Sequence, residues 1–493
     1  MTTVDSTTGE AASTVVPPAA ASAVVSPAAA LTGPVHLLGI GGAGMSGIAR
    51  ILLGRGVAVS GTDRAESPTV AALRQLGATV YLGHDATNLD PAVATVVVST
   101  AIRDSNPELV EARRRELPVV HRAVALAALM TGRRGVAVAG TAGKTSTTAM
   151  LVGALRAAGA DPSFAVGGDL TGTGVNGFDG GGPDFVVEAD ESDGSFLRFS
   201  PYAAVLTNVE ADHLDQHGTP EAVVRIFEEF TDRVDRDGFL VACADDPGAR
   251  GVAAHAGTAG LRVRTYGEAA DADLRLVDIT VTPTSTRWTA VLDGAPLAAV
   301  QIPVAGRHMA LNSAAVLLAA LELGYPAEPL LAGLGAYGGV RRRFELKGTA
   351  DGVRVYDDYA HPPTKVAAQL RAARTVAGQG RVVVGFQPHL FSRTAAFAPG
   401  FGAALGLADE VVVLDVFAAR EDPMPGVSGA LIAAAIPLPA ERVRFEPDMA
   451  AVPAELARRA RPGDLVITMG AGDVTRLGQQ VLDILAARAT EAP

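Results

Sequence analysis

Residues 135–150 read GVAVAGTAGKTSTTAM. Gly135 to Ala139 is a run of small apolar residues, suited to a buried strand. Gly140 to Gly143 is a glycine turn, and the residues after it read as a helix, TSTTAMLVGALRAAG. A strand, a glycine loop and a helix in that order form a cradle for phosphate, because first-turn amides and the helix dipole both favour an anion. The full phosphate-loop pattern is G-x-x-x-x-G-K-[ST], but Val138 stands five residues before Gly143, so this loop is a shorter version. In it Gly140, Thr141, Ala142, Gly143 and Ser146 would wrap a triphosphate. Lys144 would reach its β- and γ-phosphates and the Thr145 hydroxyl would sit on Mg²⁺.

The rest of the chain makes Lys144 conspicuous. Of 41 basic residues only Lys144, Lys347 and Lys365 are lysines. A lysine kept in so arginine-rich a chain suggests a need for a compact ammonium, although chance suffices to explain Lys365. The net charge of −12 argues against a nucleic-acid or anionic-membrane partner. Cys243 is the only cysteine, so no intrachain disulfide is expected, which suits the cytoplasm. No segment has the length and apolarity of a membrane span. Residues 1–32, rich in Ala, Ser, Thr, Val and Pro, have no basic start and read as a disordered tail.

At 493 residues the chain is long enough for about three domains. Alternating strand and helix patterns predict an α/β protein with parallel sheets. GRRG (132–135) and YGGVRRRFE (337–345) mark the junctions, dividing the chain into 33–131, 132–339 and 340–493. The middle part is expected to carry an antiparallel portion between Gly238 and Val304, and to close on a helix starting near Asn312.

An earlier glycine loop, GIGGAGMSG (39–47), contains Gly39, Gly41 and Gly44 in the G-x-G-x-x-G spacing, with Gly42, Ala43 and Met45 around them. Asp63 ends the next strand, where the ribose-binding acid of an NAD site would fall. Taken alone this is a dinucleotide site, yet nothing downstream resembles hydride-transfer chemistry. DFVVEADESD (184–193) supplies Glu188, Asp190, Glu191 and Asp193, with Glu188 and Asp190 on one face of a strand end, a carboxylate source for a cation. NVEADHLDQHG (208–218) adds Asp212, His213 and Asp215. Arg343 in RRRF (341–344) could lay a guanidinium on a moving phosphoryl group. YDDYAHPP and FQPHLFSRT place Asp357, Asp358 and His361, then His389 and Arg393, at consecutive strand ends, where open α/β sheets bind ligands.

Taken in order, HLLGIGGAGMSGIA, VVVSTAI, NPE, GTAGKTST, EADESD, NVEADHLD, GRHMALNSAA, VRRRFE, DDYAHPP and FQPH resemble the ATP-dependent Mur ligases of peptidoglycan synthesis, from about Val35 to the C-terminus. The match is closest to the branch that adds L-alanine to UDP-N-acetylmuramate. The resemblance implies a Rossmann-like N-terminal domain for the UDP-sugar, a central P-loop-type ATPase domain and a Rossmann-like C-terminal domain. It implies amide formation through an acyl phosphate, with ATP and Mg²⁺, in a monomer or weak homodimer. Lys144 and Thr145 match the phosphate-loop pair, and Glu188 and His213 the Mg²⁺ ligands. Asn312 matches a residue near adenine, Asp358 one near the ribose, and Arg343 one at the γ-phosphate. His389 and Arg393 match residues near the amino acid and the lactyl carboxylate. The first loop, Gly39 to Met45 with Asp63, then faces the UDP diphosphate. His213 and His389 are candidates for taking the amine proton. Three positions depart from the family pattern: Ala142 stands where His is common, Met309 where Asn is usual, and Leu390 where a basic residue is common. Glu228 falls near the position of a modified lysine in sister ligases. A ligase that recycles murein tripeptide is the nearest alternative within the family, an NAD-dependent dehydrogenase or an inactive UDP-sugar sensor outside it.

Overall fold

In a computed structural model of the chain, residues 31, 33–212, 214–419 and 421–491 are described. The expected tail lies outside them except for Leu31, which packs against the core. Three sheets carry the fold. The first has five parallel strands, β1 (Val35–Leu38), β2 (Val59–Asp63), β3 (Thr79–Leu82), β4 (Thr95–Val98) and β5 (Val119–His121), in the order β3-β2-β1-β4-β5. That is the order of a dinucleotide-type half, with the strand order reversing between β1 and β4, the switch point at which such sheets bind ligands. The central strands β1 and β4 are mostly apolar and buried, as strands of a parallel sheet covered on both faces are.

The second sheet has ten strands: β6 (Arg134–Ala139), β7 (Ser163–Ala165), β8 (Gly177–Phe178), β9 (Asp184–Glu188), β10 (Ala203–Leu206), β11 (Phe239–Cys243), β12 (Arg262–Gly267), β13 (Leu274–Val281), β14 (Thr286–Leu292) and β15 (Ala295–Ile302). Their order is β15-β14-β13-β12-β11-β10-β6-β9-β7-β8. β13, β14 and β15 form the expected antiparallel portion. The helix after them spans Arg307–Glu322, beginning five residues before Asn312. Its N-cap is Gly306, whose amide is held by the Thr286 hydroxyl, so no capping side chain marks the start in the sequence.

The third sheet comprises β16 (Glu345–Ala350), β17 (Val353–Asp358), β18 (Val382–Phe386), β19 (Glu410–Val413), β20 (Val443–Phe445) and β21 (Leu465–Met469), ordered β16-β17-β21-β18-β19-β20. Only the edge strand β16 runs antiparallel.

The apolar cores are not divided as the sheets are. One continuous core runs from Val35 to Val340, joining the first two sheets, while the third sheet has its own cores on its two faces. The seam in the first is close. A Cβ on Gly177 of β8 would stand 2.6 Å from the Gly47 Cα in the helix Ala43–Gly54. The C-terminal part connects instead through residues 341–345, where Arg342 and Phe344 hold positive φ of 61° and 49°. Arg342 donates to the Gly470 and Gly472 carbonyls of the C-terminal part, while Arg343 reaches back to Thr145.

Candidate active site

The loop 140–143 leaves β6 at its carboxyl end and feeds the helix Lys144–Ala157. Gly140 and Gly143 have φ of 132° and 87°, conformations open to glycine and costly for other residues. Val138 lies inside β6, fully buried, which is why the loop is short. Two side chains from the end of β10 brace it. Asn208 accepts from the Ala142 amide at 2.8 Å and donates to the Ala142 carbonyl at 3.1 Å, and Thr207 donates to that carbonyl at 2.6 Å. Neither was singled out by the sequence, where they are only the polar end of an apolar run. Ala142 therefore serves through its backbone.

Lys144 is buried and folded over its own loop. Its Nζ donates to the Gly140 carbonyl and to Glu191 Oε2, each at 2.7 Å. Burial opposes the ammonium, but Glu191, Asp190 and Glu188 outweigh it and hold Lys144 above the ordinary lysine range. Burial also pushes the Glu191 carboxyl up, against the pull of Lys144. The acid motif does not present Glu188 and Asp190 together, as its alternation suggested. β9 ends at Glu188, and the acids fan out: Glu188 to Thr145, Glu191 to Lys144, Asp190 to Ser192 and Arg122.

One hydroxyl gathers three motifs. Thr145 donates to Glu188 Oε1 at 2.9 Å and accepts from Arg343 Nη2 at 3.0 Å. The other oxygen of Glu188 accepts from the Gly167 amide at 2.7 Å. A hydroxyl and a carboxylate side by side are hard oxygen donors, the type that suits Mg²⁺. His213, the third expected ligand, lies outside the described residues. Asp212 beside it is 3.1 Å from Lys365 Nζ in the C-terminal part. Lys365, read as chance, thus has a partner across the junction.

The remaining expected residues lie beside the loop or at strand ends of the third sheet. Asn312 is buried, with its Oδ1 2.9 Å from where a Cβ on Gly143 would stand, and its Nδ2 is 3.7 Å from Met309 Sδ. Ser146 stands near the buried Tyr337 phenol, whose pKa burial pushes up. Asp358 accepts from the Phe344 and Ala360 amides at 2.8 and 2.7 Å, so its carboxylate pins the 341–345 connection to the third sheet. Burial raises its pKa to about 6 against the pull of Arg343 and those amides. His389 and His361 stand edge to face at 5.5 Å. Burial, with Arg393 among the nearby cations, keeps His361 well below the usual range. Arg393 Nη1 is buried without a hydrogen-bond partner among the described residues. Leu390 is buried at φ 71°, so its side chain packs inward at the base of that cluster.

In the first sheet, the Gly39 and Ile40 amides bond the Thr62 carbonyl, and the Gly41 amide donates to Asp63 at 2.8 Å. Asp63 thus holds the loop itself. Gly42 caps the helix Ala43–Gly54, so the amides of Ala43, Gly44 and Met45 are first-turn donors. The Met45 side chain is core. Glu228, near the position of the sister ligases' modified lysine, lies on the helix Pro220–Thr231.

Similarity to known proteins covers all three parts. Residues 34–134 match the model of the Mur ligase family catalytic domain, 138–320 that of the Mur ligase middle domain, and 342–472 that of the Mur ligase glutamate ligase domain. A UDP-N-acetylmuramate–L-alanine ligase of Kineococcus radiotolerans is 60% identical over 459 residues, covering 92% of this chain and 97% of the relative. The crystal structure of a UDP-N-acetylmuramate–alanine ligase from Thermotoga maritima superposes with a TM-score of 0.78 at 28% identity, covering 93% of this chain and all of that one. A murein peptide ligase from Psychrobacter arcticus shares the fold, with a TM-score of 0.70 at 24% identity, over 92% of this chain and 99% of its own.

Proposed function

Because the chain belongs to the Mur ligase family, we propose that it joins L-alanine to the lactyl carboxylate of UDP-N-acetylmuramate, converting ATP to ADP and phosphate. The observation that carries this reading is the meeting of Thr145, Glu188 and Arg343 through one hydroxyl. Residues 43 and 198 positions away along the chain converge on the loop that cradles ATP. We divide the chain into a UDP-sugar domain (33–131), an ATPase domain (132–339) and a C-terminal domain (340–493).

A carboxylate acylates poorly because its leaving group would be oxide. Transfer of the γ-phosphoryl group to a lactyl oxygen makes an acyl phosphate. The amine of alanine then attacks the carbonyl carbon, and phosphate departs with that oxygen. Such catalysis is positioning and charge neutralisation. Lys144, released from Glu191, would move its ammonium onto the β- and γ-phosphates. Arg343 would follow the moving phosphoryl group from the Thr145 side. Asn312 would bound the adenine beside Gly143, and Asp358 would keep the Arg343 segment in place beside the ribose. Mg²⁺, held by Thr145, Glu188 and His213, would neutralise phosphate oxygens when bound. Gly39 to Met45, braced by Asp63, would carry the UDP diphosphate, and His389 and Arg393 would receive alanine and the lactyl carboxylate. His389 would accept the amine proton, because the lone pair of His213 would be taken up by the metal. No helix among the described residues is long and apolar enough to cross a membrane, and with a single, buried Cys243 this supports a cytoplasmic reaction. We expect a monomer or weak dimer, acting on small molecules and not on nucleic acid.

The test is phosphate release from ATP and UDP-N-acetylmuramate with L-alanine, glycine, L-serine or L-alanyl-γ-D-glutamyl-diaminopimelate as acceptor. L-Alanine should give the highest kcat/KM, and Lys144→Ala should lower it by about three orders of magnitude with the fold intact. Preference for the tripeptide would make the protein a recycling ligase, and near-normal turnover by Lys144→Ala would overturn the phosphate-loop assignment.

A further inference from the structure

The strand β5 ends in His121, and the next residue, Arg122, opens the helix Arg122–Met130. No motif in the sequence marked either. Arg122 lies between the first glycine loop and the acid motif. Its Nη2 donates to Asp190 at 3.5 Å and to Asp193 at 3.4 Å, both long for a charge-assisted bond. Its Nη1 is 3.4 Å from where a Cβ on Gly44 would stand, at the first turn of the helix Ala43–Gly54. The guanidinium is therefore beside the open amides of that turn while it is only loosely engaged with the acid motif.

His121 adds a second donor. Its Nδ1 accepts from the Ala123 amide, which puts the ring proton on Nε2. That Nε2 is buried without a hydrogen-bond partner among the described residues, and Asp193 is 4.0 Å away. Burial, and then Arg122, hold the His121 pKa below its ordinary value, so the ring is neutral and a donor at Nε2. A buried N–H left unpaired costs free energy that a ligand oxygen would recover. The Arg122 guanidinium and three first-turn amides thus share one place on the first sheet, and the His121 donor stands on the adjacent residue.

We infer that Arg122, seconded by His121, binds the diphosphate of the nucleotide sugar on the Gly39–Met45 loop. This rests on the reading of that loop as the UDP site.

The experiment is calorimetric titration of the full chain with UDP, UMP and a non-hydrolysable ATP analogue, for the wild type, Arg122→Gln and Arg122→Lys. Arg122→Gln should weaken UDP at least about tenfold, the loss of one charge-assisted contact. UMP should weaken less, the ATP analogue should bind within about twofold of wild type, and Arg122→Lys should recover part of the UDP affinity. Circular dichroism and the Tm establish that each variant is folded. Unchanged UDP affinity in folded Arg122→Gln overturns the inference and leaves the loop assignment standing. Equal losses for UDP and the ATP analogue also overturn it, reducing Arg122 to a brace for residues 190–193. A wild-type protein that binds no UDP overturns the loop assignment and the inference together.

Discussion

Asp358 serves the architecture, and on the proposed function it would serve the chemistry as well. It sits at the end of β17, buried, with each oxygen on a backbone amide. Burial lifts its pKa from 3.8 to about 6. The folded state therefore binds the proton more tightly than the unfolded chain. From about pH 4 to pH 6 the unfolded state has given up that proton and the folded state still holds it, so stability falls as pH rises through this window and is level above it. Measured against Asp358→Asn, which does not titrate, the wild type should lose on the order of 3 kcal/mol between pH 4 and pH 7. Denaturant midpoints at several pH values read this, and a gap between the two proteins that does not change with pH would contradict it. On the proposed function Lys144 would carry the same duality. Its ammonium bonds its own loop, so a nucleotide bound there would exchange Glu191 and the Gly140 carbonyl for phosphate oxygens.

The glycine loop between β6 and its helix depends on backbone shape more than on side chains. A Cβ on Gly140 would drive into Thr207 Oγ1 and the Asn208 backbone, at a φ that other residues avoid. Gly140→Ala should therefore lower stability by about 2 kcal/mol or more through strain and overpacking, and should weaken ATP more than UDP. Loss of UDP affinity to the same extent would contradict a local effect. This element was legible in the sequence because its parts are contiguous: apolar run, glycines, Lys144, then helix. So were the parallel strands, the antiparallel portion and the ends where Glu188, Asp358 and His389 stand. The start of the helix Arg307–Glu322 was not, because Thr286, twenty residues earlier, holds the Gly306 amide. Asn208, Thr207 and Arg122 were missed for a related reason. They are ordinary polar residues after apolar strands, and only the sheet order brings them to the glycine loops. Asp63 was visible, but its engagement with the Gly41 amide was not.

Across the whole molecule, the continuous core binds the first two parts into one body, while the third keeps separate cores. Arg342 faces the third part and Arg343 the ATP loop, with two positive-φ residues between the bodies. Lys365 to Asp212 is a further tie across the divide. A joint with arms on both sides suits closure of the C-terminal part over ATP and the sugar nucleotide. Small-angle scattering should show a smaller radius of gyration with a non-hydrolysable ATP analogue and UDP-N-acetylmuramate than without them. Lys365→Glu, which sets like charges at the tie, should weaken that contraction. Identical profiles with and without ligands would contradict closure.

The central claim is that the three parts assemble an acyl phosphate on the lactyl carboxylate. It is tested most directly by running the reaction with UDP-N-acetylmuramate labelled with ¹⁸O in that carboxylate, and weighing the released phosphate. The account predicts one labelled oxygen in each phosphate formed from fully labelled substrate, because the bridging oxygen leaves with phosphorus when the amine attacks. Phosphate free of label, formed alongside the L-alanyl product, would contradict it.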